Sequence, residues 1–148
     1  MAGRTDISLL FDFFVTSQRI RRALGDAMAE SGMRPDEYAV YSVLFDEGPL
    51  TATEMSEALG MPLTTVLDYL KAMSAEGHVD RMPHPSDGRA LQLRLNRSGV
   101  AAHRRAHDHW EVVRKRIEGN LSVPLGQVRR ALQALGDAAN VAAVTARR

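Results

Sequence analysis

Hydrophobic residues recur at helical spacing from the first decade of the chain. Leu9, Phe13, Ile20, Leu24 and Met28 fall on one face at a period of 3.6, and Leu10 and Phe14 widen that face into a broad apolar stripe. The pattern predicts a long first helix ended by Gly32. Pro35, a residue favoured at a first helical position, opens a second helix through Phe45 that turns Val40, Tyr41, Leu44 and Phe45 inward. Gly48-Pro49 breaks it. Thr51-Ala52-Thr53-Glu54 has the form of a capping box, in which the threonine hydroxyl accepts from the amide three residues on while the glutamate reaches back; Met55 and Leu59 follow four apart. Gly60 closes this short third helix.

After the turn Gly60-Met61-Pro62, a fourth helix is predicted from about Leu63 to Glu76, with Val66, Leu70 and Met73 on its buried side and Thr64, Thr65, Asp68 and Lys71 on the other. Gly77 stops it and the period changes to two. His78-Val79-Asp80-Arg81-Met82 and Ala90-Leu91-Gln92-Leu93-Arg94-Leu95 alternate, and Pro83, Pro85, Ser86, Asp87 and Gly88 between them are turn formers, so a β-hairpin is expected. Beyond Asn96 the helical period returns in Ala106, Trp110, Val113, Ile117 and Leu121. A last helix after Ser122-Val123-Pro124 is expected to bury Leu125, Val128, Leu132, Leu135 and Ala139. The first and last helices carry more apolar surface than a chain of 148 residues can cover with its own core, so a second copy is the expected cover.

Composition narrows the function classes. With 45% hydrophobic and 25% charged residues the chain has the make-up of a soluble globular domain. No apolar run approaches the roughly 20 residues that cross a bilayer, and Asp6 and Asp12 interrupt the N-terminal apolar stretch, so a cytoplasmic location is expected. The absence of cysteine excludes disulfides, cysteine-ligated zinc and thiol sensing. The net charge of +1 divides unevenly: residues 1–34, 35–49, 50–96 and 97–148 carry +1, −4, −2 and +6. Any attraction for phosphate in the middle of the chain therefore has to come from a few placed arginines and helix N-termini. No phosphate-cradling glycine loop, nucleophile elbow or metalloprotease motif is present, and no enzymatic activity or cofactor is expected.

Two short helices joined by a tight glycine-containing turn and followed by a two-stranded ribbon fit a winged helix-turn-helix, whose second helix can enter a DNA major groove. They equally fit a helical bundle with an added hairpin. The residues that decide are Leu50-Thr51, Glu54-Met55-Ser56, Leu59-Gly60, Gly77 through Arg81, Pro85-Ser86-Asp87-Gly88-Arg89-Ala90 and Leu95 through Gly99, in which the segment 50–99 resembles the MarR family of bacterial transcription regulators. The resemblance implies a mainly α fold of α+β character. Its winged helix-turn-helix DNA-binding lobe spans 35–96, and 1–34 with 97–148 form a helical dimerisation region. It also implies a homodimeric, ligand-responsive repressor of a pseudo-palindromic operator, with double-stranded DNA as partner and a small aromatic acid as effector. The alternative is a winged-helix protein-interaction module with weak or lost DNA binding.

On that resemblance Arg89 matches a wing arginine placed in the minor groove, Asp87 the acid that orients it, and Arg81 a strand arginine near the phosphate backbone. Arg81 and Asp87 also read as a hairpin ion pair, for Arg81 as well as the DNA role does. Thr64 and Thr65 match hydroxyl residues used on phosphates and bases, and Lys71 suits a phosphate. Asp68 stands where the family often has arginine and Leu67 where it often has serine or threonine; an acid can accept from cytosine N4 and an apolar side chain can touch a thymine methyl, so either the operator differs or binding is weak. For an effector, Phe14, Tyr38, Tyr41 and Trp110, with Phe11, are candidates for a cleft lining, and Arg21, Arg104 or Gln18 for holding a carboxylate; the same aromatic residues read as core. His103 and His107, four apart, could share a metal with Glu30 or Glu37, or belong with Arg104 and Arg105 to a solvated face.

Overall fold

The computed structural model describes residues 8–146. Six helices and three strands follow one another as α1 Leu9–Met28, α2 Pro35–Glu47, β1 Leu50–Thr51, α3 Ala52–Leu59, α4 Leu63–Ala75, β2 Val79–Pro83, β3 Leu91–Leu95, α5 Arg97–Gly119 and α6 Leu125–Thr145. Among the described residues no helix is long and apolar enough to cross a membrane. The chain divides into two compact units, one running to Val113 and the other beginning at Arg114.

The first unit is organised on α2. Val40, Tyr41 and Leu44 on its inner face meet Met28 from the end of α1, Met55 of α3, Val66, Leu70 and Met73 of α4, Leu93 of β3, and Ala102 and Ala106 of α5 in one core. Val40, Met55, Val66 and Ala106 are wholly enclosed, and burial of such side chains contributes about 1.5–3 kcal/mol for each of the larger ones. Phe45, expected to face inward with them, is 43% exposed and lays its ring on His103 instead. The helix ends follow their punctuation. Gly32, Gly60 and Gly77 have φ of 77°, 61° and 70°, a left-handed conformation that glycine adopts without a Cβ penalty.

The hairpin joins β1 in a three-stranded antiparallel sheet in the order β1-β3-β2, with β3 in the centre. Leu50 and Thr51 pair with Leu93 and Gln92, while Val79 faces Leu95 and Pro83 faces Leu91 across the hairpin. Leu93, central to both pairings, turns its side chain into the core.

Most of the α1 stripe has no cover: Leu9, Leu10, Phe13, Phe14 and Ile20 are exposed and only Leu24 and Met28 are buried. The second unit comprises the end of α5, where Arg114 and Glu118 form an ion pair at 2.6 Å, and α6. Leu125, Val128, Leu132, Leu135 and Ala139, for which a second copy is the expected cover, lie along α6, and in the single chain no described residue of that helix is buried.

Candidate nucleic-acid interface

The helix-turn-helix is fixed by its caps. Thr51 Oγ1 accepts from the Glu54 amide at 3.1 Å and Glu54 Oε2 accepts from the Thr51 amide at 2.7 Å, which completes the capping box at the start of α3. At the other end the Met61 amide donates to the Ser56 carbonyl and Ser56 Oγ to the Met61 carbonyl at 2.6 Å, holding the turn closed. Helix α4 then starts at Leu63 without a side-chain cap, which leaves first-turn amides open at its N-terminus.

With Val66, Leu70 and Met73 inward, Thr64, Leu67, Asp68 and Lys71 of α4 are all exposed, and Thr65 is half-buried on the flank. Beside them stands the wing. His84 Nδ1 accepts from the Ser86 and Asp87 amides at 3.1 and 3.2 Å, and the His84 amide donates to the Ala90 carbonyl at 3.0 Å. Asp87 Oδ1 accepts from the backbone amide of Arg89 at 3.0 Å. The acid thus orders the loop that carries Arg89 and does not hold its guanidinium, which is left projecting from an exposed tip. His84 was not singled out in the sequence; the His-Pro-Ser-Asp order, a turn run opened by a ring acceptor, is the signal that identifies it.

Between α4 and the wing lies a cleft of about 380 Å³ whose lining includes Leu63, Leu67 and Leu91 together with Lys71, Arg81 and Arg89. Three cations therefore line a surface formed by α4 and the ribbon. Arg81 is not paired with Asp87; its Nη2 donates to Ser74 Oγ at 3.3 Å, and the hairpin's cross-strand ion pair is Arg94 with Asp80 at 3.7 Å. The DNA-binding candidates Thr64, Asp68, Lys71, Arg81, Asp87 and Arg89 all come from α4, β2 and the wing loop, with Thr65 at the margin.

The effector and metal candidates are arranged differently. Each hydroxyl on the inner side of α2 meets a histidine: Tyr38 with His107 Nδ1 at 2.7 Å, Tyr41 with His78 Nδ1 at 2.7 Å, and Ser42 with His103 Nε2 at 3.0 Å. His103 is 5% exposed and stacks on Tyr38, so it does not belong to a solvated face; burial lowers its pKa, His107 and Arg104 add to the effect, and Asp46 opposes it. Burial likewise raises Tyr38 and pushes Tyr41 up to about 12, with Glu37 and Glu76 adding to the latter. His103 and His107 thus spend ring nitrogens on hydroxyls, and among the described residues no group of three His, Asp or Glu could hold a metal.

Tyr38 and Trp110 stack at 4.6 Å, and Tyr41 lines a cavity of about 310 Å³ with Glu37, Glu76, His78 and Arg105. Phe14 and Gln18 are exposed on α1 and are not brought to that cavity; Arg21 is paired with Asp36 at 3.2 Å.

A capped helix-turn-helix whose second helix lies open beside a cation-rimmed ribbon defines a winged helix-turn-helix DNA-binding regulator. The comparisons agree. The chain is 33% identical over 116 residues to an HTH-type transcriptional regulator of Mycobacterium leprae, covering 74% of this chain and 79% of the relative. The fold matches the Mycobacterium tuberculosis regulator MosR in complex with DNA with a TM-score of 0.78 at 23% identity, over 91% of this chain and 98% of that one. Escherichia coli MarR, as a mutant complexed with operator DNA, superposes with a TM-score of 0.77 at 19% identity over 87% and 94% of the two chains. The Streptomyces coelicolor regulator PcaV, in complex with its natural ligand, gives 0.73 at 21% identity over 96% and 99%. Residues 28–88, from the end of α1 to the wing tip, also match the family described as sugar-specific transcriptional regulator TrmB. The chain belongs to the HTH-type transcriptional regulators, and its winged helix-turn-helix fold is the one that Escherichia coli MarR has.

Proposed function

We propose that this regulator acts as a homodimeric repressor that binds a pseudo-palindromic operator and releases it in response to a small effector. The observation that carries the reading is the convergence of Lys71, Arg81 and Arg89 on the cleft between α4 and the wing. In the proposed complex α4 enters the major groove, Thr64 and Thr65 with the open amides of its first turn meet a phosphate, and Arg89 reaches the adjacent minor groove. MosR and MarR, each captured with DNA, support this use of the fold.

The dimer reading rests on the uncovered apolar side chains of α1 and α6, among them Leu9, Phe14, Leu132 and Val141. Two-fold symmetry would place two copies of α4 on half-sites roughly 34–36 Å apart, one turn of B-DNA. For the effector a small aromatic acid suits the cavity that Tyr41 lines, with Arg105 as its cation; PcaV, solved with its ligand, supports a ligand-responsive reading.

Footprinting on the DNA flanking its own gene tests the proposal. Two protected segments related by two-fold symmetry, weakened by an aromatic carboxylate that also changes Trp110 fluorescence, are expected; a folded monomer in light scattering at micromolar concentration contradicts the dimer. The competing reading, an interaction module without DNA binding, draws on the exposed acid at Asp68 and predicts no protection at all.

A further inference from the structure

The middle of the open face of α4 carries a carboxylate, in a place where a groove walled by phosphates repels it unless a base edge supplies a donor. Val66, Leu70 and Met73 define the inner side of the helix, and at about 100° per residue Thr64, Asp68 and Lys71 fall opposite them. Asp68 is exposed, and among the described residues it has no hydrogen bond or ion pair. Leu67, 48% exposed, is turned from Asp68 towards the wing, where it lines the cleft with Lys71 and Arg81. An acid without a partner and a leucine without cover therefore sit side by side on the surface offered to DNA.

The floor of the major groove limits what can satisfy them. Guanine N7 and O6 and thymine O4 are acceptors, which a carboxylate cannot use; the donors are cytosine N4 and adenine N6. Adenine presents its donor beside the N7 acceptor, a pair that suits an amide side chain, whereas cytosine presents a donor without that neighbour. The apolar group on the same floor is the 5-methyl of a pyrimidine.

We propose that Asp68 and Leu67 set operator specificity, Asp68 accepting from a cytosine N4 amino group and Leu67 packing on the pyrimidine 5-methyl that lies on its wing side. The inference rests on the reading of α4 as the DNA-recognition helix. It converts the departure from an arginine at this position into a statement about base sequence: each half-site contains a cytosine with a methyl-bearing pyrimidine step beside it. Lys71, one turn beyond Leu67, offsets the repulsion between the carboxylate and the nearest phosphates.

Selection from a random duplex library with the full-length chain tests this. Wild type is expected to enrich a cytosine at one symmetric position, Asp68→Asn to exchange it for adenine, since an amide bonds adenine N6 and N7 together, and Leu67→Ala to lose the neighbouring thymine. On the selected site, replacing that thymine by uracil, which removes only the methyl group, should weaken wild type by roughly 4-fold, and replacing it by cytosine with its guanine partner by roughly 5- to 100-fold, the usual cost of one altered base pair. 5-Methylcytosine should restore binding relative to cytosine if the methyl group alone is read. An unchanged preference in Asp68→Asn, or uracil binding as well as thymine, overturns the assignment while leaving DNA recognition intact. Failure of every form to enrich any motif overturns the recognition-helix reading beneath it.

Discussion

His103 lies parallel to Tyr38, with 5.1 Å between ring centroids and 5° between planes, and closes the seam between α2 and α5. Its Nε2 is bonded to Ser42, its Nδ1 is buried without a partner, and its other face is covered by Phe45 at 4.5 Å. A proton on this ring would place a charge among aromatic faces, which is why burial lowers its pKa. The unfolded chain takes up that proton near about pH 6.5, before the folded chain does. Stability is therefore complete above that pH and declines as pH falls from it towards the lower folded value. Melting temperature is expected to drop between pH 7 and 5 in the wild type, and the drop to be shallower in His103→Phe, which keeps the ring stack; identical profiles would count against a buried neutral imidazole.

The start of α5 is tied to the foot of the wing through Asn96, whose Nδ2 donates to the Gly77 carbonyl at 2.7 Å and whose Oδ1 accepts from the Gly99 amide at 3.0 Å. A Cβ at Gly99 would run into the backbone carbonyl of His78, which cannot swing aside as a side chain could. Gly99→Ala is expected to cost about 1–3 kcal/mol, the usual penalty for overpacking, in a denaturant titration, together with weaker DNA binding because the wing moves. A stability equal to the wild type would show that α5 and the sheet slide past each other freely.

Thr51→Ala removes one half of the capping box and leaves the Glu54 amide without its acceptor. About 1 kcal/mol of stability should be lost. Thr51→Ser, which keeps the hydroxyl, should retain most of it. If alanine and serine behave alike, the threonine acts through its pairing with Gln92 in the sheet and not through the cap.

How much of this was legible in the sequence depends on how far apart the partners lie. The caps and turns at Thr51, Gly60 and Gly77 need only neighbours within a few residues, and the structure has them where the sequence puts them. The inward faces of α2 and α4 follow from period alone, apart from Phe45, which stacks on His103 58 residues away in sequence, as no local pattern announces. The hydroxyl–histidine pairs span 37 to 69 residues and were invisible for the same reason; His103 and His107 suggested a metal or a solvated face because only their mutual spacing could be read. Strand β1 is two residues long, too short to show alternation. For α6 the helical period is legible and the cover is not, since an apolar stripe records a need for a partner without saying which chain supplies it.

Arg89 projects from a loop tip ordered by Asp87 and His84, so its removal should leave the fold unchanged. Arg89→Ala is expected to weaken binding and to abolish preference for A·T-rich flanks, whose narrow minor groove attracts a guanidinium. Affinity and flank preference equal to those of the wild type, in fluorescence anisotropy at fixed salt, would remove the wing from the interface. Asp87→Ala should have part of the same effect by loosening the Arg89 amide.

A titration of DNA affinity against salt tests the central claim most directly. If Lys71 and Arg81 of each protomer, with the N-terminus of α4, neutralise phosphates while Arg89 enters the minor groove, the logarithm of the association constant should fall linearly with the logarithm of salt concentration, by about 0.9 for each phosphate contacted. Several contacts per dimer give a steep line for the wild type, and Lys71→Ala in both protomers should flatten it by about two. Binding that does not change with salt, or no binding to duplex DNA at low salt by a folded chain, would contradict the account.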